Sequence, residues 1–361
     1  MRVLCVIPEL GAGGAEVVAV AVAAGAVADG HDVRIASALG FRVEEVRAAG
    51  IAHTALPAAG RRPWDLARSV ARLRRLAKPD LVHAHNPKAA LLSRIAFGDR
   101  VPILTTLHGV AQGDIELAAM ILRRTAGHVV VVSPHVGEQL VERGFPATRL
   151  TVVANGVPPL PSYPRARARA ELGIPPTEVV ALCPARLVAQ KRHDLLVDAW
   201  AELADPPLLL LAGDGPNRAR IFALAARHGL GDRVRLLGER TDMPRLMAAA
   251  DLVALATDWE GLPIAVLEAL GAGKPVVVSD VSGLARQFGA AVHAVGPGSA
   301  TAFAAGVREV VDDPGLRSRL SAEASAAFDQ RFSADAMLAD YRHLYLTTTG
   351  AQVRIATSTG V

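Results

Sequence analysis

A chain of 361 residues with 51% apolar content is long enough for two ordinary domains, each burying its own core. Its formal net charge of +4 favours anionic ligands or surfaces, but aromatics are only 4% and no nucleic-acid motif occurs, so nucleic acid is not an expected partner. No run reaches the roughly 18 apolar residues that span a bilayer, and the two cysteines, Cys5 and Cys183, each sit in a strand-like apolar run, which argues against a disulfide framework or cysteine zinc site.

The chain opens MRVLCVIPELGAGG, a strand-length apolar run ending in Pro, Glu and Gly. It lacks a signal-peptide core and cleavage site, so we expect a first strand in a cytoplasmic protein. Gly11-Ala12-Gly13-Gly14-Ala15-Glu16 follows. It fails as a dinucleotide fingerprint because Glu16 holds the third glycine position and the second strand ends without an acid. A glycine loop opening a helix at Ala15 still offers amides to an anion or a sugar, and a structural tight turn explains it almost as well. Further strands are expected at Val33 to Ala36, Leu81 to His83, Ile103 to Leu107, Val129 to Ser133 and Leu150 to Val153, alternating with helical stretches. Between them Arg61-Arg62-Pro63-Trp64 leads a helix carrying Arg68, Arg72, Arg74, Arg75 and Lys78. Read functionally, Arg61 to Lys78 docks on an anionic membrane with Trp64 as anchor; read plainly, it is a solvated helix face. His83, His85 and His108 stand near strand ends without the spacing of a known zinc motif. His108, before Gly109, reads best as a hydrogen-bonding residue facing a cleft.

Pro158 to Pro164 reads PPLPSYP, which neither a helix nor a sheet interior tolerates, and it marks the domain boundary. Strands then recur at Val179 to Leu182, Leu208 to Ala212, Val234 to Leu237, Leu252 to Ala256 and Val276 to Ser279. The alternation predicts an α/β protein with two Rossmann-like, doubly wound parallel-sheet domains facing a central cleft. The expected division is 1–160, 161–346 and a loose tail, 347–361, with the last helix able to pack back on the first domain.

Two segments of the second half carry chemistry. Arg186 and Lys191 lie five residues apart on a strand-to-helix loop, where a planar fork and a point charge can converge on one diphosphate. Leu255 to Asp280 then reads LATDWEGLPIAVLEALGAGKPVVVSD. Pro263 suits the first turn of a helix, leaving the amides of Ile264, Ala265 and Val266 without intrahelical acceptors at its positive end. Glu260 in the loop and Glu268 in the helix flank that anion site, which suits a ligand with both phosphate and hydroxyls, such as a nucleotide-sugar; read plainly, they are one solvated and one capping glutamate at a helix start. No Asp-x-Asp occurs, so a metal-bridged diphosphate is not indicated, and neither metal nor cofactor is expected.

Taken in order, Gly13-Gly14-Ala15-Glu16, His83-Ala84-His85, His108-Gly109, Ser133, Asn155-Gly156-Val157, Arg186 with Lys191, Gly213-Asp214-Gly215-Pro216 and Glu260-Gly261-Leu262-Pro263 through Glu268-Ala269 resemble the retaining GT-B glycosyltransferases of family 4. The likeness runs to about Leu346. It implies that Arg186 and Lys191 bind the donor diphosphate, Glu268 the ribose and Glu260 the hexose, with the base near Glu239 to Thr241, Arg240 included. Gly261, Leu262, Pro263 and Ile264 complete the donor side, and the Gly14 amide lies near the phosphate. His108 stands near the hexose and the reaction centre, while Gly13, Gly14 and His85 lie on the acceptor side. Where relatives carry Gly-Gly after the next strand, this chain has Ser279-Asp280-Val281-Ser282-Gly283. The implied activity is retaining transfer of a hexose from a UDP- or GDP-sugar to a hydroxyl acceptor, lipid-linked if the basic helix docks on the inner membrane face, in cell-surface polysaccharide, glycolipid or glycoconjugate synthesis. The alternatives are a non-hydrolysing nucleotide-sugar epimerase and a silent nucleotide-sugar-binding module.

Overall fold

The computed structural model describes residues 1–11, 13–57 and 63–350. The chain forms two compact units, Met1–Gly156 together with the segment from Ala334, and Val157–Ser333. The first holds a seven-stranded sheet in the order β3-β2-β1-β4-β5-β6-β7, with β1 Arg2–Glu9, β2 Asp32–Ala38, β3 Ala52–Ala55, β4 Leu81–Ala84, β5 Ile103–Leu107, β6 His128–Val131 and β7 Leu150–Val152. The second holds six strands in the order β10-β9-β8-β11-β12-β13, with β8 Val180–Pro184, β9 Leu208–Ala212, β10 Val234–Gly238, β11 Leu252–Leu255, β12 Val276–Ser279 and β13 His293–Val295. Every strand pair described is parallel. A parallel sheet covered by helices on both faces needs strands that are apolar throughout rather than alternating. VVVS in β12 and LLLLA in β9 are buried along their whole length.

In each sheet the strand order reverses once, between β1 and β4 and between β8 and β11. The loops leaving the carboxyl ends of these strands diverge there and open a crevice. Each unit thus has one topologically favoured place for chemistry.

The structure departs from the sequence expectation in several places. The edge strands β3 and β13 were not anticipated: AHTA and HAV carry little β-branched apolar character and owe their strand form to pairing with β2 and β12. The division falls at Gly156 and again at Ser333 rather than at 160. The last helix, Ala334–Thr349, groups with the first unit, in line with the expectation that it can pack back there, but it extends through Thr349, so 347–349 are helical rather than loose; 351–361 lie outside the described residues. The helical stretch after Pro314 is interrupted at Phe328–Phe332, where a π-turn precedes the extended Ser333. The first long helix begins at Gly14 with Gly13 as its N-cap.

The last helix packs on Gly14–Ala28. A Cβ on Gly25 would stand 2.6 Å from Leu338 Cδ2, so a side chain there requires Leu338 to shift. Arg342 closes the contact with two hydrogen bonds to the Asp29 carboxylate, at 2.9 and 2.8 Å.

Candidate active site

In the second unit the loops after β8 and β11 are laced together. The Gln190 side chain donates to the Trp259 carbonyl at 2.8 Å, and the Gln190 carbonyl accepts from the Asp258 amide at 2.9 Å and from Thr257 Oγ1 at 3.1 Å. This brings Lys191 Nζ onto Glu260 Oε1, an ion pair whose side chains are only 17% and 7% exposed. Arg192, in a left-handed conformation at φ 33°, adds bonds to Asp194 at 3.1 Å and Asp258 at 2.9 Å. Arg186 lies on the same loop but is exposed and, among the described residues, has no ion-pair partner.

The Gly213-Asp214-Gly215-Pro216 turn holds the Arg186 loop from below. The Leu187 amide donates to the Asp214 carbonyl at 2.9 Å. A Cβ on Gly213 would lie 2.1 Å from the Ala185 carbonyl oxygen, and one on Gly215 2.5 Å from that of Leu187. Backbone meets backbone there, which no side chain permits.

Pro263 is the N-cap of the eight-residue helix Ile264–Gly271, not its first residue, and no side chain caps it. Its carbonyl accepts from Val266 at 3.0 Å and from Leu267 at 3.3 Å. The amide expected free at Val266 is therefore satisfied by a tight first turn, and the open amides are those of Ile264 and Ala265. Glu268 sits half-buried one turn beyond, while Gly261, Leu262 and Pro263 are buried.

The loop Ser279-Asp280-Val281-Ser282-Gly283, without a role from the sequence, acts as a brace. Ser282, at φ 54°, accepts the Glu260 amide at 3.2 Å, and Ser279 Oγ accepts the Thr257 amide at 3.4 Å. Both serines fix the loop that carries Glu260. Beside β10, Tyr163, Glu239, Arg240, Thr241, Asp242 and Arg245 line a recess of about 460 Å³. Arg240 does not point freely into it: two bonds to Asp242, at 2.8 and 2.7 Å, hold the guanidinium and keep the Asp242 carboxyl below its usual range.

The first unit has a different chemistry at its switch point. His83 lies in β4 and is fully buried, with Nδ1 2.8 Å from the Tyr345 hydroxyl and Nε2 2.8 Å from Thr106 Oγ1; Tyr341 OH lies 2.9 Å from the same threonine oxygen. His85 lies against His83 at a centroid distance of 4.1 Å with the rings tilted by 33°, and its Nδ1 is 3.1 Å from His108 Nε2. Burial holds His83 down to about 3, His108 down to about 4 and His85 well below the usual imidazole range, and it pushes the Cys5 thiol up to about 12. Cys5, His83 and His85 present their ligand atoms within 4.8 Å of one another. Both His83 nitrogens already serve hydroxyls, however, so this is a neutral hydrogen-bonded network rather than an assembled cation site. The sequence placed the three histidines at strand ends but missed Tyr341 and Tyr345. Their spacing of four on one helix face was the available signal.

Gly13 and Gly14 open the helix after β1, and Gly14 is exposed; Ala12 lies outside the described residues. The preceding turn is braced by the 39–42 loop, whose Gly40 would place a Cβ 2.1 Å from the Leu10 carbonyl oxygen and whose Arg42 donates to Gly11 O at 3.1 Å. A small apolar hollow of about 30 Å³ lies among Ile7, Leu56, Leu66, Leu92 and the rim residues Asp65 and Lys88. The basic helix is Pro63–Arg74. It buries Ser69, Val70 and Leu73 and exposes Trp64, Arg68, Arg72, Arg75 and the following Lys78; Arg61 and Arg62 lie outside the described residues.

Two parallel Rossmann-like sheets, each with its loops at the switch point, define the GT-B class of glycosyltransferases. Two family models match the chain in tandem: Glycosyltransferase Family 4 over residues 12–159 and Glycosyl transferases group 1 over residues 164–326. The chain belongs to this glycosyltransferase family. The N-acetyl-alpha-D-glucosaminyl L-malate synthase of Bacillus anthracis is 26% identical over 78% of this chain and 79% of its own length. The lipopolysaccharide core biosynthesis glycosyltransferase LpsD of Rhizobium meliloti is 32% identical over 60% of this chain, which spans 63% of that relative's length. Among solved structures, Alr3699/HepE of Anabaena in complex with UDP-glucose shares the fold at a TM-score of 0.86 and 24% identity, over 96% of this chain and 100% of the other. Among the described residues no helix is long and apolar enough to cross a membrane.

Proposed function

We propose that the chain is a retaining hexosyltransferase that moves a sugar from a UDP- or GDP-sugar to a hydroxyl acceptor, in the synthesis of a surface polysaccharide, glycolipid or glycoconjugate. The observation that carries this reading is the joining of the β8 and β11 loops, the first of which also carries Arg186, so that the Lys191–Glu260 pair stands just ahead of the helix whose Ile264 and Ala265 amides are open. Amides and guanidinium supply preorganised positive charge where a diphosphate leaves, and such charge lowers the barrier without reorganisation. A bound diphosphate shares Lys191 with Glu260, which places the Glu260 carboxylate toward the sugar and Glu268, further along the helix, toward the ribose. In the reaction the glycosyl C1–O bond to the diphosphate breaks, the acceptor oxygen bonds to C1 on the same face, and the hydroxyl proton passes to the departing phosphate oxygen. Basic groups neutralise the leaving group, so transfer is expected without added metal.

The acceptor is assigned to the first unit, to Gly13, Gly14 and His85, with His108 near the hexose. LpsD, a relative, is named for lipopolysaccharide core synthesis, and the exposed Trp64 and arginines of Pro63–Arg74 support an acceptor at an anionic membrane. Each such cation contributes about 1 kcal/mol near a charged leaflet. Vesicle co-sedimentation that is lost at high salt and in a variant neutral at Arg72, Arg74 and Arg75 is the expected result.

The central test is a thermal-shift screen of UDP-, GDP- and ADP-sugars, since a bound donor raises stability by mass action, followed by product analysis in excess EDTA. A tight donor, acceptor-dependent product and a retained anomeric configuration are expected. Product formed without acceptor indicates the epimerase instead, and binding without turnover indicates a silent module. Glu260→Gln is expected to lower kcat about 100-fold and Glu268→Gln mainly to raise donor KM.

A further inference from the structure

The loop that carries Glu260 follows β11, and in its sheet β11 stands between β8 and β12. The loops after those two neighbours therefore flank it, and each sends a side chain onto it. From the β8 side, Arg192 Nη1 donates to Asp258 Oδ1 at 2.9 Å. From the β12 side, Ser282 Oγ accepts the Glu260 amide at 3.2 Å.

These two residues share a second property. Arg192 has φ 33° and Ser282 φ 54°, and every other left-handed position among the described residues is a glycine. A Cβ crowds the following carbonyl oxygen in that conformation, and glycine escapes the clash. At these two positions the chain keeps a side chain where glycine would be free of strain, and both side chains bond to the same segment, 257–260. Strain of this kind persists only where the surroundings hold it, and it gathers at sites whose geometry matters. The holding contacts are visible on both sides. Asp194 Oδ1 accepts from Arg192 Nε at 3.1 Å, which fixes the guanidinium between two carboxylates. The Asp280 carboxylate accepts the Ala285 amide at 3.1 Å and ties the Ser282 turn to the short helix Leu284–Phe288.

The Glu260 carboxylate itself is held by Lys191. A diphosphate that draws on Lys191 loosens that restraint, and the contacts from Arg192 and Ser282 are untouched by it. We infer that Arg192 and Ser282 are positioning residues that clamp segment 257–260 from both sides and keep Glu260 in place when Lys191 is shared with a ligand. The clamp stands on its contacts alone; its effect on turnover rests on the proposed function.

The test combines hydrogen exchange on the ligand-free protein with steady-state kinetics, using the nucleotide-sugar that performs best in the donor screen. Ser282→Ala removes the acceptor, and Arg192→Gly removes the guanidinium while relieving the strain. Ser282→Ala is expected to speed exchange at the Glu260 amide about tenfold, the worth of one neutral hydrogen bond. Arg192→Gly is expected to speed the Asp258 and Glu260 amides about fivefold, as a partly exposed ion pair allows. Melting temperatures stay within about 4 °C of wild type, since the rest of the unit is untouched. In each variant kcat falls by a similar factor while donor KM moves less than about twofold. Ser282→Asn, which tolerates the left-handed backbone and carries an acceptor oxygen, and Arg192→Lys, which keeps the cation, are expected to recover most of both effects. Wild-type exchange at the Glu260 amide in both Ser282→Ala and Arg192→Gly overturns the clamp, and faster exchange with unchanged kcat overturns its positioning role. Wild-type protein that turns over no nucleotide-sugar sinks the proposed function instead, and the exchange rates still decide the clamp.

Discussion

The switch points of the two units are built on the same kind of parallel sheet, yet one is neutral and the other ionic. Around β4 and β5 the polar groups are imidazoles, hydroxyls and a thiol within or directly after buried strands, and burial keeps them uncharged. Around β8 and β11 the polar groups sit on loops, where Lys191, Arg192, Asp258 and Glu260 form ion pairs at partial exposure. The difference is one of depth and pairing: among the described residues the buried histidines have no counter-charge beside them, whereas each of these loop ions has a partner of opposite sign, and Arg192 and Asp258 also reach water. A neutral site can direct hydrogen bonds to sugar hydroxyls, and a charged one can hold a phosphate.

The contrast is broken most sharply by acid. His83, His85 and His108 all have folded values below the ordinary 6.5, so between pH 6.5 and about 4 the unfolded chain binds more protons than the folded one. Their stabilising contribution is present in full above pH 6.5 and is lost as pH falls, by up to about 1.4 kcal/mol per pH unit for each histidine. The second unit has one comparable residue, His193, lowered to about 4. Hydrogen exchange along an acid titration should therefore open the first unit first. Earlier opening of the second unit, or stability that is flat from pH 6.5 to 4.5, would contradict the depth argument.

Next in size is Lys191→Ala, which strands a buried Glu260 carboxylate and is expected to cost about 3 kcal/mol in urea unfolding. Adding Glu260→Gln should return more than half of that. If the double variant is no more stable than the single one, the pair is not what sustains the loop.

Arg186→Ala sharpens the comparison from the opposite side, because Arg186 is exposed and without an ion-pair partner among the described residues. Its loss should weaken nucleoside-diphosphate binding by about 10- to 150-fold while stability changes by less than about 0.5 kcal/mol. Calorimetry that finds unchanged affinity would remove Arg186 from the diphosphate site.

The smallest expected effect is that of Tyr345→Phe, which takes one hydroxyl from His83. A loss of about 1 to 2 kcal/mol, confined to the first unit, is expected from thermal unfolding followed by exchange. No loss would mean that the His83–Tyr345 contact does not help to hold the last helix, leaving the Arg342–Asp29 and Tyr341–Thr106 bonds and the apolar contacts.

Much of this protein was legible before folding because its signals are local. Strands such as LLLLA and VVVS announce themselves by apolar runs, the proline cluster begins just past the division at Gly156, and Glu260, Glu268, Arg186 and Lys191 stand in short motifs that residue type and spacing single out. The edge strands β3 and β13 were not legible, because AHTA and HAV become strands only by pairing with a neighbour already in place. Nor was the satisfied amide of Val266, which depends on how tightly the first turn closes after Pro263. The pairing of Lys191 with Glu260 joins residues 69 positions apart, and that of His83 with Tyr345 joins residues 262 apart. Sequence determined which groups were available for chemistry; tertiary structure decided which of them met, because contacts at such separations exist only once the sheet and its covering helices have closed around them.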